Sequence, residues 1–127
     1  MTPKEKSLLL QDLCARLPYG VIVRVYDIEH GDFDSYVDSI SNTCVETHPV
    51  EELTIDFNPY VFYKLQEIKP YLRPMSSITK EEYEEETILF GWNTGWEHYD
   101  WLNAHHFDYR GLIEKGLALE APEGMYK

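Results

Sequence analysis

The chain has 127 residues, an ordinary hydrophobic share of 43% and an aromatic share of 14%, with ten Tyr and three Trp. That length supports one domain, 1–127, with a core of its own, and the composition excludes a disordered or fibrous chain. A formal net charge of −12 speaks against direct nucleic-acid binding, because carboxylates repel phosphates.

The charge is uneven. Residues 31–60 hold seven acids (Asp32, Asp34, Asp38, Glu46, Glu51, Glu52, Asp56) and no Lys or Arg, whereas residues 1–30 are neutral. Such a block is a solvated surface in the plain reading and a docking patch for a basic partner in the sharper one. Cys14 and Cys44 form no CxxC motif and no disulfide framework, which suits a reducing compartment. The opening Met-Thr-Pro-Lys-Glu-Lys has no apolar signal core, and no run approaches the roughly 18 apolar residues of a membrane span. The expectation is a cytoplasmic protein that does not enter the membrane.

In chain order, Thr2, Pro3 and Glu5 mark a helix start with a capping box. Leu10, Leu13, Cys14 and Leu17 follow at i, i+3, i+4 and i+7 as its buried stripe, with Cys14 as a small core residue, and Pro18-Tyr19-Gly20 ends it. Val21–Tyr26 is β-branched and aromatic, a central strand, and His30-Gly31-Asp32 turns it into a second strand around Tyr36–Ile40. A short strand is expected at Cys44–Thr47, and Leu53, Ile55 and Phe57 alternate with polar residues as another. For the next segment two readings stay open. Asn58-Pro59 can start a helix carrying Val61, Phe62, Leu65 and Ile68, or Tyr60–Leu65 is a strand.

Pro70-Tyr71-Leu72-Arg73-Pro74 must be extended, since proline disfavours helix in the residue before it. Thr79 and Glu82 predict a second capping box, and the acids from Glu81 to Glu86 complement that helix dipole without any catalytic role. Gly91–Gly95 breaks the chain. Glu97–His106 reads as a helix, Asp108–Lys115 as a second short one stopped by Gly116, and Leu117–Leu119 as a last strand. The fold class is therefore α+β: an N-terminal helix, an antiparallel sheet of about three to five strands, and C-terminal helices packed on it.

The stretch from Trp92 to Arg110 is the most function-like. It contains Trp92, Trp96 and Trp101, together with His98, His105, His106, Asp108 and Arg110. Flat apolar surface with a few polar groups is the usual make-up of a binding site, though the same side chains can complete a core. A metal centre is disfavoured. His98 and His105 stand two helical turns apart, about 10 Å, too far for one ion to bridge. His105 with Asp108 can orient a general base, but no nucleophile accompanies them. Arg73, beside Tyr71, and Arg110 can together hold a nucleotide-like molecule if the fold brings them close, unless each pairs with an acid. No cofactor motif is present.

The words Ile68-Lys69-Pro70-Tyr71-Leu72-Arg73-Pro74-Met75-Ser76-Ser77 and Asp100–Ala118, with Leu13–Gly20 at the other end, resemble a family of small proteins encoded by gut-bacterial genomes, prophages and phages. The likeness covers about half the chain. It implies a context, an accessory protein of a mobile element or its host, but supplies no activity, ligand or catalytic residue. The leading expectation is a non-enzymatic protein docking on a host or phage macromolecule through a protein partner, with self-association into a homo-oligomer another use for exposed aromatics. A nucleotide-like small-molecule binder using Tyr71, Arg73, Trp92, Trp96, Trp101, His105, His106, Asp108 and Arg110 is the alternative. A hydrolase using a His/Asp pair comes third.

Overall fold

The computed structural model describes residues 1–29, 31–41, 44–50, 61–91 and 95–126. Three α-helices and six strands follow in the order α1 (Pro3–Arg16), β1 (Ile22–Asp27), β2 (Gly31–Ile40), β3 (Cys44–Pro49), β4 (Val61–Lys64), β5 (Ile68–Leu72), α2 (Lys80–Phe90), α3 (Trp96–Ala104) and β6 (Leu119–Glu120). The architecture is α+β, with one strand more than the upper expectation. The strand proposed for Leu53–Phe57, the Asn58-Pro59 helix start, His30 and Trp92 lie outside the described residues.

Strands β1 to β4 form an antiparallel meander, and β5 returns to the free side of β1, giving the order β4-β3-β2-β1-β5-β6. Only β6 runs parallel to its neighbour, pairing Tyr71 with Leu119 and Leu72 with Glu120. This order forces the sheet to curl. Three strands separate β4 from β5, so a flat sheet would hold them about 19 Å apart at ~4.8 Å per strand. The chain links them through only Leu65–Glu67, a reach of at most about 14 Å from Lys64 to Ile68. Accordingly Tyr63 of β4 reaches the far end of β1, its hydroxyl donating to Asp27 at 2.6 Å. Its ring also meets Phe33 of β2 edge-on at 6.2 Å.

The concave side of the curl holds the main core. Val23 and Val25 of β1, Val37 of β2, Val45 of β3, Tyr63 of β4 and Ile68 and Leu72 of β5 meet Leu9 and Leu13 of α1 there. Alternation delivers these residues to one side, as the pairs Val25–Phe33 and Val25–Ile68 require. The segment from Val61 is a strand that passes into a 3-10 turn; Leu65 is buried in that turn. Both capping boxes are present, with the Thr2 and Thr79 hydroxyls accepting from the backbone N–H of Glu5 and Glu82.

Three expectations need correction. Cys14 is exposed, because the buried face of α1 is Leu9, Asp12, Leu13 and Arg16, rotated from the stripe that hydrophobicity alone suggests. A buried ion pair occupies two of those four places. The Asp108–Lys115 segment is a series of turns. Gly111 takes φ 75, a left-handed conformation that interrupts any i to i−4 ladder. Helix α3 likewise ends at Ala104, two residues early, since His106 has φ 61.

Candidate docking groove

Helices α2 and α3 belong to a second, smaller cluster. Trp101, Leu102 and Phe107 are buried together, with Ile78, Phe90 and Tyr109 against them. Helix α2 itself has no buried residue. It is held by its carboxylates: Glu82 to Arg73, Glu85 to the Trp101 indole N–H at 3.2 Å, and Glu86 to His98 Nε2 at 2.6 Å. Phe90 adds ring contacts to His98 and Trp101.

The candidate residues divide among three surroundings. Trp101 is core. Tyr71 is buried on β5 and its hydroxyl donates to Asp34 at 2.8 Å, with burial and that carboxylate both pushing its pKa up. Arg73, His105 and His106 line one cleft of about 420 Å³ with Tyr19, Tyr36, Glu82 and Tyr126. Trp96 and Arg110 line another, about 460 Å³, between α1 and α3, with Ala15, Tyr99, Asp100, Asn103 and Tyr109.

Each arginine is paired with an acid, Arg73 through its fork and Arg110 through one nitrogen. Arg73 grips Glu82 with two nitrogens at 2.6 and 2.7 Å and lies over the Phe107 ring at 4.3 Å. That guanidinium holds the Glu82 carboxyl at about 2, well below its ordinary value. Arg110 donates to Asp12 at 2.7 Å, and Asp12 also accepts from Arg16 at 2.9 and 3.1 Å. Arg16, fully buried, continues to the Phe107 carbonyl. These contacts tie α1 to the 107–110 segment; the Arg73 fork is committed to Glu82, and Arg110 is committed to Asp12 through one nitrogen.

The His/Asp pair does not assemble either. Asp108 accepts from the backbone N–H of Leu112 at 2.8 Å and Ile113 at 2.9 Å, capping the following turn. The His105 ring lies tilted against Trp101 at 4.1 Å, and its Nδ1 meets the Trp101 carbonyl at 2.9 Å. His106 is buried and stacks on Tyr126 at 3.6 Å, and its Nδ1 has no hydrogen-bond partner among the described residues. Burial, with the Arg16 charge behind it, lowers its pKa to about 4. Tyr126 closes this cleft from the outer face of the sheet. Its hydroxyl donates to the Tyr71 carbonyl at 2.7 Å and accepts from the Ile22 N–H at 2.9 Å, and burial pushes its pKa up.

No family model, curated protein or solved structure matches the chain. Among the described residues no group of three or more His, Cys, Asp or Glu side chains can hold a metal ion. Among the same residues no helix is long and apolar enough to cross a membrane.

The α1–α3 groove is different in kind from the cleft beside it. Trp96, Tyr99, Asp100 and Asn103 stand at i, i+3, i+4 and i+7 on α3, one continuous face. Trp96 is 75% exposed and Tyr99 46%. At the groove floor Tyr109 is ringed by contacts: the Tyr99 ring at 5.2 Å, the Arg110 guanidinium at 4.6 Å, and a hydroxyl donated to Asn103 at 3.0 Å. Tyr99, Asn103 and Tyr109 escape a reading that counts Trp, His and Arg. The helical spacing from Trp96 contains Tyr99 and Asn103; Tyr109, beyond the end of α3, is brought in by the tertiary fold alone.

Proposed function

We propose that the protein is a non-enzymatic docking module that binds another protein through the aromatic face of α3. An accessory role in a phage, a mobile element or its bacterial host, exercised inside the cell, is the context this reading adopts. The observation that carries it is Trp96, an indole three-quarters exposed (75%) above an open groove. Exposed Trp and Tyr in a desolvatable pocket are the residue types that dominate binding energy at protein interfaces. The nucleotide-like alternative has less support, because Arg73 and Arg110 line different clefts and each is paired with an acid. A hydrolytic role has less still, with Asp108 committed to backbone amides.

The test is capture from cells expressing the wild-type chain or Trp96→Ala, followed by native mass spectrometry. A protein retained by the wild type and lost by the variant supports docking. A small retained mass, insensitive to Trp96, overturns docking in favour of ligand capture.

A further inference from the structure

We infer that the surface received by the α3 face is basic: a partner protein places an Arg or Lys side chain, flanked by apolar residues, against Trp96 and Tyr99 and beside Asp100. This rests on the docking reading and adds the chemistry of the partner. Three features of the groove converge on it. Trp96 makes no ring or ion contact among the described residues, so its π-face is open, and Tyr99 stands one turn away on the same face. Such faces attract guanidinium and ammonium groups. The Asp100 carboxylate lines the same groove with one hydrogen bond, from the Tyr19 hydroxyl, which leaves it lone pairs for a second donor. Glu97 is exposed on the same helix.

The groove's own cation does not cancel this. Arg110 donates one nitrogen to Asp12 and its guanidinium carbon lies 4.6 Å from the Tyr109 ring centroid, so part of its charge is met within the protein. Helix α2, which does not line the groove and packs on α3 through His98 and Trp101, adds only to the wider negative field with its exposed Glu81 and Glu84. A net charge of −12 adds a field that speeds cationic partners and repels a second copy of the chain or a nucleic acid.

The experiment uses the full chain, labelled with nitrogen-15, and three hexapeptides as probes: alternating Leu-Arg, Leu-Glu and Leu-Gln. The Trp96 indole N–H signal is expected to move with the arginine peptide alone. Apparent affinity should fall severalfold between low and 0.5 M salt. Followed by the backbone amide signals of Tyr99 and Asn103, which every variant retains, Trp96→Ala and Asp100→Asn should each weaken it roughly three- to fivefold, with Trp96→Phe intermediate. An unmoved Trp101 indole signal shows that each variant is folded. Equal or tighter binding of the glutamate peptide, no shift with the arginine peptide, or indifference to Asp100→Asn overturns the inference. If capture from cells still depends on Trp96 in that event, docking stands and only the basic partner is wrong. If capture also ignores Trp96, docking itself has failed.

Discussion

The two halves of this molecule are held together by different forces. The curled sheet and α1 enclose a core of Val, Leu and Ile that is almost wholly buried, where hydrophobic burial dominates. The α2–α3 region has three buried residues in its cluster, and α2 is pinned by three carboxylates. A helix fixed by charge and a few rings is easier to loosen than one fixed by area. Under the docking reading proposed above, such a surface would adjust to a partner without disturbing the core. Asp12, clamped between Arg16 and Arg110, is the most buried of the polar links between the halves, beside Arg73–Glu82 and Tyr19–Asp100.

That junction offers the largest effect. Asp12→Ala leaves two guanidiniums, one of them fully buried, without their counter-charge. Such losses cost about 3–5 kcal/mol, read by urea denaturation with both halves unfolding together. A loss below about 1 kcal/mol would mean that the halves are joined elsewhere.

Acid gives the next largest. His106 in the folded chain has its pKa lowered from 6.5 to about 4, so between those pH values the unfolded chain binds the proton and the folded one does not. Stability should therefore fall as pH drops from 6.5 to 4, by up to roughly 3 kcal/mol. His106→Asn, a residue that tolerates positive φ, should flatten that slope. A further loss follows below pH 4.5, as Glu82, lowered to about 2, takes up its proton. An unchanged slope in the Asn variant would assign the acid sensitivity to the carboxylates.

Glu82→Gln should act on one half only. It removes the charged fork to Arg73 and costs roughly 1–2 kcal/mol. Amide exchange should quicken along α2 while β1 and β2 keep their protection. Uniform quickening would mean the two halves open as one. Trp96→Ala should be smallest in stability, within about 0.5 kcal/mol, though largest in partner binding.

Local signals made much of this legible. Thr2/Glu5 and Thr79/Glu82 announced both helix starts, and β-branched Val21–Val25 announced the central strand. What stayed hidden were pairings between distant residues. Nothing near Asp12 and Arg16 in sequence reveals that Arg110 and the Phe107 carbonyl await them, so the buried face of α1 was misplaced onto Cys14. Glu82 was visible as a cap but not as the partner of Arg73, and Asp108 as a catalytic candidate but not as a backbone cap. Side chains with two plausible uses are decided by tertiary neighbours, and those are not periodic.

The curl of the sheet has one more consequence. Because Leu65–Glu67 ties β4 directly to β5 while β3, β2 and β1 lie between them by pairing, these five strands make a closed hoop. A strand in an open sheet can slide by changing its bonds to two neighbours. Here a slide of β1 would have to be passed around the whole ring and would turn Val23 and Val25 outward. The covalent tie thus restrains the registers of β1 to β5 together, giving α1 a wall on which to hold the groove.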